Sequence, residues 1–216
     1  MSDALEIEAK FDLDASDREL LLAMTTVGPF RVSDRSDVVQ DDVYYDTDAA
    51  LLKAAGATLR VRRTAKGARM TFKGRRQEST SEDDGHIAAR PEDEVALSDA
   101  QVESIAEGEP LPDLADLSPL ERARAIAGND ALLPVAHLHN SRVTLVLTSD
   151  ASTMELALDD CTGTRLADGR TVRFHEVELE AKSGDRIAVI AASDALRALV
   201  PSLTPSRETK LGRTLD

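Results

Sequence analysis

The chain has 216 residues, enough for a domain with a substantial buried core, and its 42% hydrophobic content argues against disorder. Aromatics make up only 3% and tryptophan is absent, which argues against a stacking platform for single-stranded nucleic acid. A formal net charge of −14 repels nucleic acid and anionic membranes over most of the surface, so a polyanion could be received only by a local cluster of Lys and Arg or by a bound cation.

Cys161 is the one cysteine, so no internal disulfide can form and a reducing, cytoplasmic setting is expected. Met1 to Glu6 has neither a basic nor an apolar segment of the signal-peptide kind, and no apolar run approaches the ~20 residues of a membrane span. No membrane partner is therefore expected.

In chain order, Leu5 to Phe11 alternates apolar and charged residues and predicts a strand. Ser16-Asp17-Arg18-Glu19 has the form of a capping box and predicts a helix over Leu20 to Val27, closed by Gly28. Val38 to Asp46 reads as a strand, and Thr58 to Arg63 with Arg69 to Lys73 as a hairpin around Lys66-Gly67-Ala68. The polar stretch from Gly74 to Ala89, with Arg75, Arg76 and His86, reads as a mobile, solvated loop before a strand over Arg90 to Leu97. Ser98 caps a helix over Asp99 to Glu107 that ends at Gly108. Ser118-Pro119-Leu120-Glu121 starts another, which ends at Gly128. Three strands follow over His137 to Leu147, Thr153 to Asp159 and Thr171 to Glu180, then a helix from Arg186 to Val200 capped by Asp185 and stopped by Pro201. Ser206 to Leu215 reads as a short final strand. No repeat or low-complexity linker interrupts the chain, so one domain over residues 1–216 is expected, with a helical insertion at about 98–134.

The charges repeat with the period of the strands. Glu6, Glu8 and Lys10 share one face, with Ile7, Ala9 and Phe11 opposite. Arg60 and Arg62 are backed by Leu59 and Val61; Arg69, Thr71 and Lys73 by Met70 and Phe72; Glu176, Glu178 and Glu180 by Val177 and Leu179. Arg90, Glu92 and Glu94 alternate in the same way, and Glu155 and Asp159 flank Ala157. Either a broad sheet faces water, or a barrel turns its charged face inward and covers its apolar outside with helices. Charges of both signs inside a barrel are costly unless paired or bound to ions, so the second arrangement implies an ionic ligand. Arg60, Arg62, Lys73 and Arg142 suit phosphate oxygens, while Glu6, Glu8, Glu176 and Glu178 suit a hard divalent cation. The histidines lack zinc-like spacing.

Taken in order, these residues resemble the CYTH domain, or triphosphate tunnel metalloenzyme, family. Glu6-Ile7-Glu8-Ala9-Lys10 matches its ExExK signature. Tyr44-Tyr45-Asp46-Thr47, Leu59-Arg60-Val61-Arg62, Thr71-Phe72-Lys73, Arg90-Pro91-Glu92-Asp93-Glu94, Pro134-Val135-Ala136, Arg142, Leu158-Asp159, Glu176-Val177-Glu178-Leu179-Glu180 and Lys210 follow in sequence. The length between Glu94 and Arg142 resembles the longer CYTH domains found ahead of CHAD domains. Arg207-Glu208-Thr209-Lys210 departs from the family's usual Ser-Lys ending.

The resemblance implies an α+β fold, an antiparallel eight-stranded β-barrel tunnel with helices packed on the outside. It implies Mg2+ or Mn2+ held by Glu6, Glu8, Asp159, Glu176 and Glu178, and a triphosphate or polyphosphate substrate bound by Lys10, Arg60, Arg62, Lys73, Arg142 and Lys210. Glu92 and Glu94 would line the tunnel, and Glu6, Glu8 and Lys10 would serve catalysis. The activity expected is hydrolysis of the terminal phosphate of a linear triphosphate, foremost inorganic tripolyphosphate, by a monomer or homodimer. Thiamine triphosphatase, class IV adenylate cyclase and a non-catalytic polyphosphate-binding module are the alternatives. Other polar residues carry plainer expectations: Cys161 is structural near a strand end, His137 and His139 are surface or hydrogen-bonded, and His175 faces away from the acidic stripe.

Overall fold

Alternating strands of this kind bury their apolar side and leave the charged side to close on itself. In the computed structural model, which describes residues 4–77 and 87–216, they form β1 (Ala4–Asp12), β2 (Thr26–Val27), β3 (Phe30–Asp46), β4 (Thr58–Thr64), β5 (Gly67–Lys73), β6 (Ile87–Leu97), β7 (Leu133–Thr148), β8 (Thr153–Arg165), β9 (Thr171–Ser183) and β10 (Thr204–Pro205). The helices are α1 (Arg18–Leu22), α2 (Leu51–Ala54), α3 (Asp99–Ser104), α4 (Ser118–Ala127), α5 (Arg186–Leu199) and α6 (Lys210–Leu215).

Eight strands make an antiparallel ring in the order β1-β6-β5-β4-β3-β7-β8-β9, and β9 returns to β1 through pairs such as Lys10 with Glu178. Two-residue β2 and β10 add to β3 and to the end of β1. The ring closes around the lumen, and the outer half of β3, from Ser33 to Gln40, extends beyond it paired with β7 alone.

The apolar faces point outward and are covered. Leu59, Val61, Met70 and Phe72 are buried in a cluster with Leu120, Ala123 and Ala127 of α4. On the other flank Phe11, Leu145, Leu156, Val177 and Leu179 pack with Val189, Ala192 and Leu196 of α5. Burying a side chain of this size contributes roughly 1.5–3 kcal/mol. The strands are therefore held from outside, and the lumen is free to be polar. A third, small cluster of Tyr44, Ala136, Leu138, Cys161 and Leu211 shares the inward face of β3, β7 and β8 and closes one end of the barrel with α6.

The structure corrects several sequence expectations. The capping box at Ser16 does not form: Ala15–Asp17 is a 3-10 turn, and α1 ends at Leu22. The β-branched Thr26 and Val27 pair with β3 instead of extending the helix. Gly28 ends that short strand, not a helix; its φ of +54° suits glycine, and a Cβ there would lie 2.7 Å from Ala195 Cβ of α5. β3 starts eight residues before Val38, at Phe30, because its outer half pairs with β7 from Arg31 to Asp37. Cys161 lies inside β8 and not near its end. The tail is a helix from Lys210, capped by the Thr209 hydroxyl, which accepts from Gly212 N–H at 2.9 Å; β10 already occupies the last open positions of β1. β6 begins at Ile87, and Gln77 bridges Ala89; residues 78–86, including His86, lie outside the described residues.

Candidate active site in the barrel lumen

Cross-strand register decides which charges meet. Asp42 of β3 sits opposite Arg62 of β4, and Tyr44 opposite Arg60. Glu6 of β1 sits opposite Arg90 of β6, Lys73 of β5 opposite Glu92, and Arg142 of β7 opposite Asp159 of β8. Register also sets like charges together, Asp159 with Glu176 and Glu8 with Glu180. Such pairs repel, so each needs a cation from a further strand.

The result is a cavity of about 210 Å³ lined by Glu6, Lys10, Arg60, Arg62, Lys73, Arg90, Glu92, Glu94, Arg142, Glu178 and Lys210, with Glu155, Glu180 and Lys182 towards one side. All six basic residues expected to bind phosphate lie on its wall. Glu8 lines a smaller adjoining cavity of about 80 Å³, with Arg76 and Arg207. Asp159 and Glu176 are fully buried.

Two charge clusters divide the lumen. In the first, Lys73 Nζ donates to Glu6 Oε1 and Oε2 at 2.6 and 2.7 Å, and Arg90 reaches Glu6 at 3.2 Å and Glu8 at 3.1 Å. In the second, carboxylate oxygens of Asp159, Glu176 and Glu178 lie within 4.8 Å of one another, the one such group among the described residues. Lys10 Nζ is 2.7 Å from Glu178 and 3.4 Å from Glu176. Arg142 donates to both oxygens of Asp159 at 2.7 Å and also to Glu178. Lys210 Nζ is 2.9 Å from Asp159 and 2.8 Å from Glu178, and it donates to Glu176 as well.

These neighbours set the protonation states. Burial pushes the Glu8 carboxyl up, but Lys10 and Arg90 outweigh it and hold it at about 2. Burial opposes charge on Asp159 and Glu178 too; Arg142 and Lys210 on the first, and Lys10, Lys210 and Arg142 on the second, keep both carboxyls well below the usual range. Burial disfavours the charged Lys210 ammonium, but Asp159, Glu176 and Glu178 raise its pKa. Glu180 goes the other way: burial lifts it above the ordinary carboxylate value despite its bond to Lys182 at 2.7 Å. The cavity is thus a set of fixed, opposed charges.

The sequence profile of the CYTH domain matches residues 4–215. The chain belongs to the CYTH family. Solved structures with the same fold include a Hippeastrum protein, HpAC1, described as a candidate adenylyl cyclase with a dominant triphosphatase activity. It is 18% identical, with 95% of this chain and 93% of that one covered and a TM-score of 0.64. A candidate adenylate cyclase from Bacillus halodurans is 19% identical over 100% of both chains, with a TM-score of 0.64. The RNA triphosphatase domain of the mimivirus mRNA capping enzyme is 12% identical over 92% of this chain and 89% of that one, with a TM-score of 0.50. No curated protein matches the chain in sequence.

Triphosphate tunnel metalloenzymes depend on a metal, and this CYTH domain has a donor set that fits one. Asp159, Glu176 and Glu178 supply converging hard oxygen donors, and Glu176 Oε2 is buried without a hydrogen-bond partner among the described residues. Glu6 and Glu8 stand outside that group, in the Lys73 and Arg90 cluster.

Several lumen residues escaped the sequence reading. Asp42 is fully buried and accepts from Arg62 Nε and Nη2, both at 2.7 Å, with Arg60 3.6 Å away. Its neighbour Asp41 obscured which of the two faces inward. Arg90 shares the face of Glu92, a signal that was readable. Arg213 of α6, which pairs with Asp12 and stands 5.2 Å over the Phe174 ring, was hidden by reading the tail as a strand. Outside the lumen, His139 Nδ1 is 2.8 Å from Asp41, His137 Nε2 is 3.8 Å from the same carboxylate, and His175 Nδ1 is 3.5 Å from Asp160. No helix among the described residues is long and apolar enough to cross a membrane.

Proposed function

We propose that this CYTH domain hydrolyses the terminal phosphate of a linear triphosphate, with inorganic tripolyphosphate the preferred substrate and Mg2+ or Mn2+ as cofactor. The observation that carries this reading is one small cavity in which Lys10, Arg60, Arg62, Lys73, Arg142 and Lys210 converge beside the three-carboxylate group. A cavity of about 210 Å³ falls short of the ~300–1,000 Å³ that organic ligands of drug size occupy. Tyr44 is its one aromatic lining residue, so an adenine or thiamine ring finds no stacking platform. An inorganic chain of phosphates needs neither.

Arg60 and Arg62, braced by Asp42, hold one end of the triphosphate, and Lys73 adds a charge from the next strand. Lys10, Arg142 and Lys210 neutralise oxygens at the other end. A divalent cation on Asp159, Glu176 and Glu178 would supply further neutralisation of phosphate charge. Water attacks the terminal phosphorus in line, the bridging P–O bond breaks and diphosphate leaves. Phosphoryl transfer of this kind needs positioning and charge neutralisation rather than a protein nucleophile. A lining carboxylate, Glu6 or Glu180, takes the proton of that water.

The test is phosphate release with Mg2+ or Mn2+ from tripolyphosphate, ATP, thiamine triphosphate and long-chain polyphosphate. Tripolyphosphate should give the highest kcat/KM, and Glu178→Gln should lower it by about 100-fold or more. Arg60→Ala should act mainly on KM. Cyclic AMP formed from ATP would instead favour the cyclase reading, and binding of polyphosphate without release would favour a non-catalytic module.

A further inference from the structure

Lys210 occupies the point on which the three carboxylates converge. An ammonium has three protons, and here each meets a different acid: Asp159, Glu176 and Glu178. Lys10 and Arg142 flank the same group and Arg213 Nε stands 3.6 Å from Glu176, so the three carboxylates already face four cations. A divalent ion brought onto these oxygens would leave a buried excess of positive charge, and one resident cation must withdraw.

These cations differ in what holds them, and Arg213 shares α6 with Lys210. Lys10 lies within β1, paired opposite Glu178 of β9, its carbonyl accepting from Ser206 N–H on the other side, and Arg142 is in the middle of β7 between β3 and β8. Lys210 is the first residue of a six-residue terminal helix. α6 is attached through Leu211 in the end cluster, through the Arg213 contacts with Asp12 and Ser206, and through Arg165, which donates to Leu215 O at 2.7 Å. Thr214 lies directly on Gly163 of β8, where an added Cβ would overlap its side chain. A short helix held by side chains opens far more readily than a central strand held by two ladders.

We infer that Lys210 is a built-in occupant of the metal position, and that loading the three carboxylates with a divalent cation displaces it and loosens α6 from the end of the barrel. The inference rests on the reading of this group as the metal site of the proposed triphosphatase. It adds that Lys210 competes with the metal and reaches phosphate only after leaving the acids.

The experiment is a titration of the full chain with Mn2+ alone, followed by electron paramagnetic resonance, with no phosphate compound present. A wrong assignment of substrate therefore cannot alter the outcome. Lys210→Met should bind Mn2+ roughly tenfold or more tightly than the wild type, and Gly163→Ala, which pushes Thr214 and α6 outward, should shift affinity in the same direction. In the wild type, hydrogen exchange of the backbone amides at 211–216 should accelerate when Mn2+ is added. Mn2+ affinity equal or weaker in Lys210→Met, or unchanged exchange at 211–216 under saturating Mn2+, would overturn the inference. The exchange measurement needs only the wild type, so it decides the matter even if a variant fails to fold.

Discussion

Asp42 is the sharpest test of the inward-facing charge arrangement. Its carboxylate is fully buried, accepts twice from Arg62 at 2.7 Å and stands 3.6 Å from Arg60. Burial pushes this carboxyl up, but Arg60 and Arg62 pull it below the ordinary value, so the pair is ionised in the native protein. Asp42→Asn keeps the shape and removes the charge, leaving two guanidinium groups side by side in the barrel wall. Breaking one partner of a buried pair costs about 3–5 kcal/mol. For a chain of this length each kcal/mol moves Tm by about 2–4 °C, so Tm should fall by at least about 6 °C. Circular dichroism on heating and in urea would measure it, since the chain has no tryptophan. Asp37→Asn on the same strand is the control: its side chain is 68% exposed with one contact to Arg35 at 3.8 Å, and it should stay within about 0.5 kcal/mol of the wild type. If Asp42→Asn cost less than about 1 kcal/mol, the charges of β3 and β4 could not be enclosed as described.

Glu8, held at about 2, contributes stability that is fully present above the ordinary carboxylate range and is lost as pH falls from about 4.5 towards 2; the urea midpoint should drop across that window, with about 3 kcal/mol of the loss absent in Glu8→Gln. Cys161 is fully buried and burial pushes its thiol far up, so a disulfide reagent should modify the native protein only as fast as the barrel opens, and at once in urea. Gly28→Val should destabilise by about 2 kcal/mol, because it puts a branched side chain at a positive φ against Ala195; an unchanged urea midpoint would mean α5 does not pack there.

The strand alternation was legible because a period of two is written directly in residue order. Glu6, Glu8 and Lys10, Arg60 and Arg62, and Glu176 and Glu178 could be assigned to charged faces, and the ordered motifs pointed to the CYTH family and its eight-stranded ring. The helix over Ser118–Ala127 and the Asp185 cap of α5 were equally readable, since proline at a helix start and a side chain accepting from Ala188 N–H at 3.1 Å are local events. The resemblance to the CYTH family also put Asp159 and Lys210 forward as site residues, and the fold brings the two within 2.9 Å of each other.

What sequence could not supply was which charges meet. Asp42 and Asp41 are adjacent and chemically identical; alternation along β3 puts them on opposite faces, and only the register with β4 and β7 gives the first to Arg62 inside and the second to His139 outside. Glu6 and Glu176 are both glutamates on inward faces, yet register gives one to Lys73 and Arg90 and the other to the Asp159 and Glu178 group. The final helix shows the same limit: Lys210 to Leu215 became helical and entered the barrel end because the ring had closed and β10 had taken the last open edge of β1. A residue's face is fixed by its own strand, but its partner is fixed by the register of another, and that is a property of the closed sheet alone.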